Sequence, residues 1–425
     1  MHLIILFIWL LSFEAIAAKQ NETDPNLVQA LPYGQRIEMS STFLPKKQLV
    51  DVYLPKDFEL DSSHVEYPVI VTLDGWTLSQ AVSGVSGHLM NTAALPKSIV
   101  VALHTNVWSM LPPLYVHSTD NWIADDKDGF VSAFKNNQSN AANAFWSFLE
   151  NELFPLLEKN YRASDFRTLI GMSPTSILSL HTMLNKPDLF DAYVLIAATD
   201  VLGLGYDEQA DFIDEIISAS DAGKLEGKYL YVASAEFEAR REPRHYQNVQ
   251  KLIEGLAATK TKPTFEIEHI DHFGHYPVAI PALLNAFDLI FPRSEFQKYQ
   301  QFLQAGGDVV NAIESHYHSM SKKYDSTIHL QTDLQRNPNS LRSLGYRLLR
   351  NGDHEQAEKA FRKWAEISDK NPSAFYWLAR TSASIGDYEI AIKHLEKALS
   401  LSNKYTPETT SSLQATLEGY RAKLN

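Results

Sequence analysis

The stretch RTLIGMSPTSILSLHTMLNKPDLFDAYVLIAATD, Arg167 to Asp200, decides how the rest of the chain is read. Thr168 to Ile170 is an apolar strand that runs into Gly171-Met172-Ser173. A helix then starts and ends near Lys186-Pro187, before a second apolar strand, Ala192 to Ala198. A strand, a sharp turn carrying a serine, a helix and another strand are the repeating parts of a parallel α/β layer.

Working outward, the same alternation recurs. Upstream, Gly34 to Met39 and Gln48 to Tyr53 read as two strands with a hairpin-like connection, and Val69 to Leu73 is a wholly apolar strand that stops at Asp74-Gly75. A buried strand ending at glycine marks a loop at the carboxyl edge of a sheet, where α/β proteins place their sites. Leu78 to Leu95 has helical spacing, and Ser98 to Leu103 is the next apolar strand. His104 to Asp128 is long and aromatic, with Trp108, Tyr115, His117 and Trp122, and reads either as a substrate-binding wall or as a packed cap. Ala141 to Asn160 is helical, Tyr229 to Ala233 and Thr264 to His269 are strands, and Tyr246 to Ala257 is an amphipathic helix. HIDHFGHYPVAIPALLNAFDLIF, from His269, is a histidine-rich loop running into a closing helix. The fold class is therefore α/β, a doubly wound, mostly parallel sheet.

Composition narrows the function. With 44% hydrophobic and 21% charged residues, 425 residues are enough for two or three domains with sizeable cores. A net charge of −13, with no basic cluster longer than Arg240-Arg241, argues against a nucleic-acid partner. The absence of cysteine excludes disulfides, thiolate metal sites and cysteine nucleophiles. Leu3 to Phe13, followed by Ala15-Ile16-Ala17-Ala18, resembles a secretory signal peptide too short to span a bilayer. The expectation is an exported protein, periplasmic or secreted, with no integral membrane segment after cleavage. A buried N-terminal strand or helix is the alternative.

A serine nucleophile needs a base within hydrogen-bond reach and an acid to hold that base. Ser173, Glu236 and His275 follow one another in the chain, each just past a strand. Each has a plainer alternative. Ser173 before Pro174 is also a good helix N-cap; Glu238 rivals Glu236 as the acid; His269 and His272 rival His275 as the base.

These residues resemble the putative esterase family that includes enterochelin and ferri-siderophore esterases and S-formylglutathione hydrolase. The match covers most of Arg36 to Phe291 and is carried by VDVYLPKDF with YPVIVTLDGW, by LPKSIVVAL, by FLENELFPLLEKNYRASDFRTLIGMS, by LFDAYVLIA, and by the Glu236 and HYPVAIPAL segments. The resemblance implies an α/β-hydrolase fold and a serine esterase mechanism, with Ser173 as nucleophile, Glu236 as acid and His275 as base. It also implies that the loop near Gly75 and Trp76 supplies an oxyanion N–H, that the substrate is a small-molecule ester, and that no metal or organic cofactor is used. The family's elbow is G-x-S-x-G, and this chain departs from it. Thr175 replaces the last glycine, and Pro174 has no N–H to offer the oxyanion. Thr175 or Ser176 would stand in as side-chain donors. The Arg and Asp usual after the Ser98 to Leu103 strand are replaced by NVWSMLPP.

Beyond Phe291-Pro292 the pattern becomes helical. Asn337-Pro338, Leu344, Gly345, Gly352, Asp353, Ala357 and Phe361 recur 34 residues later as Asn371-Pro372, Leu378, Ala379, Gly386, Asp387, Ala391 and Leu395. That period resembles tetratricopeptide (TPR) repeats, and Thr406-Pro407-Glu408 opens a third helix. Two units and a helix fall short of the three or so repeats needed alone, so they should pack on the connector helix, Val309 to Tyr324, or on the hydrolase. The expected domains are a leader at 1–18, an α/β-hydrolase at 19–295, a connector at 296–336 and all-α, TPR-like repeats at 337–425. The repeats would bind a protein or peptide, or serve as an appendage. Two functions follow, a serine esterase, or an esterase-fold binding protein with impaired catalysis whose repeats recruit a partner.

Overall fold

The computed structural model describes residues 34–104, 106–117, 141–236, 244–334, 337–405 and 410–424. The leader-like segment, Trp122, Glu238, Arg240-Arg241 and Thr406 to Glu408 lie outside them.

Among the described residues ten strands form: β1 (Gln35–Met39), β2 (Gln48–Tyr53), β3 (Tyr67–Thr72), β4 (Ile99–Leu103), β5 (Tyr115–Val116), β6 (Ala163–Met172), β7 (Ala192–Ile196), β8 (Leu204–Gly205), β9 (Tyr229–Ala235) and β10 (Thr264–Ile270). Eight of them make one sheet in the order β1-β2-β4-β3-β6-β7-β9-β10, and β5 pairs with β8 apart from it. From β4 to β10 all neighbours are parallel, while β2 runs antiparallel to β4. The wholly apolar runs of the sequence have this cause, because β3, β4 and β7 are buried along their whole length and covered on both faces.

Helices alternate with the strands: α1 (Gly75–Asn91), α2 (Ala142–Phe148), α3 (Phe154–Tyr161), α4 (Pro174–Asn185), α5 (Phe212–Asp221), α6 (Arg244–Ala258) and α7 (Ala279–Ile290). Between α2 and α3 the chain passes through one wide helical turn, Leu149–Leu153. α1 begins three residues earlier than its apolar spacing suggests, so Gly75 and Trp76 form its first turn rather than a loop. The entry is fixed by an isolated bridge between Asp74 and His104, a tertiary contact that periodicity does not register.

The connector holds α8 (Tyr299–Ala305) and α9 (Val309–Lys323), and the repeats hold α10 (Leu341–Arg350), α11 (His354–Ile367), α12 (Pro372–Ser384), α13 (Tyr388–Tyr405) and α14 (Thr410–Leu424). The 34-residue period is visible in the turns: Gly352 and Gly386 both take positive φ, at 81° and 83°. Asp353 and Asp387 then cap the next helices, accepting from the N–H groups of Gln356 and Ile390. Gly345 is small because α11 presses on it, and a Cβ there would stand 2.5 Å from the Phe361 ring.

The repeats pack on both expected surfaces. Val310 of α9 donates its N–H to Gln356 Oε1, and Ser62, in the loop before β3, donates to the Ile367 carbonyl. One hydrophobic core runs unbroken from Met39 in β1 to Leu378 in α12. This shared core seats the first repeat on the sheet, while α12 to α14 close around a smaller second cluster that includes Ala379, Leu395 and Leu413.

Candidate active site

In an open parallel sheet, ligands bind where the chain's direction of winding reverses. Here the chain leaves β3 toward β4 and leaves β6 toward β7, so the reversal lies between β3 and β6. The first residues beyond those two strands include Gly75-Trp76 and Ser173. Glu236 directly follows β9, and His275 lies in the loop between β10 and α7. The parallel register therefore brings all five predicted residues to one carboxyl edge.

Ser173 has φ 52° and ψ −121°, a conformation that costs a residue with a Cβ about 1–3 kcal/mol. Three hydrogen bonds hold the turn there. Ser173 N–H donates to Ile196 O at 2.8 Å, Met172 N–H donates to Thr175 Oγ1 at 2.7 Å, and Thr175 Oγ1 donates back to Met172 O at 2.9 Å. Gly171 is required because α4 crosses closely: a Cβ there would meet Ser179 Oγ at 2.5 Å and Thr175 O at 2.7 Å. Pro174 disfavours a helical conformation at the preceding residue, and Ser173 is not helical, so proline and sharp turn coexist. Ser173 does hold the N-cap position with Pro174 opening the helix, but its side chain makes no capping hydrogen bond. Among the described residues its hydroxyl has no hydrogen-bond partner. Nucleophile-to-base contacts often tighten only once substrate is bound.

The two stand-in donors are a correction. Thr175 Oγ1 is committed to Met172 O, and Ser176 Oγ lies 3.3 Å from Ile196 O, to which it donates; both are buried beneath the turn. The expected oxyanion loop falls at the start of α1. Thr77 and Leu78 donate to Asp74 O, which leaves the Gly75 and Trp76 N–H groups without an intrahelical acceptor. The positive ends of α1 and α4 both lie at this edge.

Glu236 Oε2 accepts from the His272 N–H at 2.7 Å and stands 3.8 Å from that ring's Nδ1. The His272 side chain is 87% exposed, whereas His275 is half-buried and meets Tyr276 edge-on. His269 packs its ring 4.3 Å from Tyr246. Of the aromatic loop, Tyr115 pairs with Gly205 across β5 and β8, and His117 bonds Ala210 O.

Sequence reasoning missed one cluster beside Trp76, formed by Arg36, Asp51 and His104. The signal was available in QLVDVY, where a carboxylate interrupts a buried strand. Arg36 holds Asp51 through both carboxylate oxygens, at 2.6 and 2.8 Å, and this pairing keeps the Asp51 carboxyl below the usual carboxylate range.

The family described as putative esterase matches residues 41–202. Residues 320–398 match the family described as anaphase-promoting complex, cyclosome, subunit 3. An uncharacterised protein from Capnocytophaga ochracea is similar with a TM-score of 0.52 at 17% identity, over 92% of this chain and 99% of its own. An IroE-like serine hydrolase from Shewanella oneidensis is similar with a TM-score of 0.55 at 17% identity, over 77% of this chain and 97% of its own. At such identity these likenesses show the fold alone, that of an α/β-hydrolase. No curated protein matches the chain.

Proposed function

We propose that the chain is an exported serine hydrolase that cleaves a small-molecule carboxylic ester through an acyl-enzyme on Ser173. The observation that carries this reading is the strained Ser173 backbone with a hydroxyl that bonds nothing among the described residues. A helix cap has no use for φ near 52°, and a nucleophile raised above the sheet does. Ser173 Oγ attacks the ester carbonyl carbon as His275 takes its proton, and Glu236 steadies the imidazolium. The Gly75 and Trp76 N–H groups, with the positive end of α4, stabilise the oxyanion. Collapse expels the alcohol, which receives the proton from His275. Water then attacks the acyl group with His275 again as base, releasing the acid and restoring Ser173. The leader-like Leu3 to Ala18 segment supports export, and the repeats are proposed to carry a protein or peptide partner.

Reaction of the folded chain with a fluorophosphonate probe, with the adduct located by mass spectrometry, tests this reading. Covalent phosphonylation of Ser173 is expected. An unmodified Ser173 in folded protein would overturn the enzyme reading and favour the binding protein, whose specific support is Pro174.

Pro174→Ala returns an N–H to the first position of α4. It is expected to raise turnover of a p-nitrophenyl ester by about 100-fold, the scale on which one oxyanion donor acts. A variant no faster than the parent would show that this N–H does not face the oxyanion.

A further inference from the structure

The Arg36, Asp51 and His104 cluster has no part in the steps above, yet it lies directly behind the Gly75-Trp76 turn. Asp51 sits on β2 opposite Ala102, and His104 is the first residue past β4. His104 Nε2 lies 2.7 Å from Asp51 Oδ2. A carboxylate only accepts, so Nε2 carries the hydrogen and Nδ1 is the other nitrogen. The His104 side chain is 2% exposed, and Nδ1 is buried with no hydrogen-bond partner among the described residues. Trp76, by contrast, is 69% exposed. The His104 ring meets its edge at a centroid distance of 4.3 Å, and the Arg36 guanidinium stands 5.9 Å from its centroid. Gly75 rests on the same residues, where a Cβ would come 2.9 Å from Leu103 O and 3.1 Å from His104 Cδ2.

Leucine or phenylalanine would fill this space without stranding a buried nitrogen. What they cannot do is accept a fixed orientation from a carboxylate that is itself held by an arginine. We infer that Asp51 and His104 are positioning residues that seat the first turn of α1 and so fix the direction of the Gly75 and Trp76 N–H groups. The inference rests on the proposed role of that turn as oxyanion donor. Pro174 sharpens the need, because with no N–H after the serine the first turn of α1 has no backbone partner there to share the oxyanion with.

The test measures maximal labelling rate and half-saturating probe concentration at Ser173 for wild type, His104→Gln, His104→Phe and Asp51→Asn. Gln keeps a donor for Asp51 but loses the ring; Phe keeps the ring but loses the donor; Asn is isosteric and guards against misfolding. Misplacement of a reacting group by about 1 Å costs roughly 100-fold. The expected result is a maximal rate lowered about 10- to 100-fold in His104→Gln and His104→Phe, with half-saturation unchanged. Gly345→Ala, which crowds the distant α10–α11 contact, is expected to lower thermal stability and leave the labelling rate alone. Wild-type rates in both His104 variants would overturn the inference while leaving the esterase reading intact. A change confined to half-saturation would also overturn it, since His104 would then shape binding. A wild type that does not label removes the esterase reading itself, and this inference with it.

Discussion

Alanine at position 173 is expected to remove fluorophosphonate labelling and to cut ester turnover by on the order of 10⁴- to 10⁶-fold, with the fold unchanged. A nucleophile acts as a unit with its base, so its removal costs about as much as losing the whole triad, and the residue left is what binding and the oxyanion donors supply. The fold should not respond, because the bonds that pin the turn are the Ser173 N–H to Ile196 O and the paired contacts between Met172 and Thr175, none of which uses the serine hydroxyl. Glycine at the same position separates the two effects. It relieves the positive φ and should raise stability by about 1 kcal/mol, while losing activity as completely as alanine. Circular dichroism and urea unfolding, run beside turnover, read both. If alanine retained turnover, catalysis would be located elsewhere and Ser173 would be a strained residue with no account.

The contrast between Ser173 and its surroundings shows what a sequence discloses. Strands buried on both faces leave continuous apolar runs, so β3, β4, β7, β9 and the second half of β6 are legible, while β10, at the sheet edge, shows instead as an alternating strand. The 34-residue period is equally plain, since glycines at 352 and 386 are demanded by positive φ. The strand ends also point to where Ser173, Glu236 and His275 stand. Contacts that close across the chain leave no local trace. Periodicity placed Gly75 and Trp76 in a loop because the bridge from Asp74 to His104 lies 30 residues away in sequence. Thr175 looked available as a donor because nothing in M-S-P-T says that its hydroxyl returns to Met172. Arg36, Asp51 and His104 come from three strands or their ends, so no window of sequence holds them together.

The second large effect is expected at Asp61, where sheet and repeats meet. Its side chain is fully buried and makes three contacts, to Lys97 Nζ at 2.7 Å, Tyr67 Oη at 2.8 Å and Ser368 Oγ at 2.5 Å. Ser368 follows the last turn of α11, and Lys370 in the same loop donates its N–H to Leu60 O beside Asp61. Arg162 closes the other side, donating to the carbonyls of Phe58 and Asp61. Burial, reinforced by the Asp61 charge, pushes the Tyr67 phenol above its ordinary range, so it stays a donor. Asp61→Ala strands a buried ammonium and two hydroxyls. It should cost about 3–5 kcal/mol in urea unfolding, the usual consequence of removing one partner from a buried pair. That figure measures the orphaned Lys97 more than the worth of the pair. The double variant Asp61→Leu with Lys97→Met removes both charges and should recover most of the loss, because apolar replacements of buried pairs are often neutral. If Asp61→Ala instead cost under about 1 kcal/mol, within the range of surface pairs, Asp61 would be solvated in solution. The contact between the sheet and the repeats would then be open, and the core that the first repeat shares with the sheet would need another explanation.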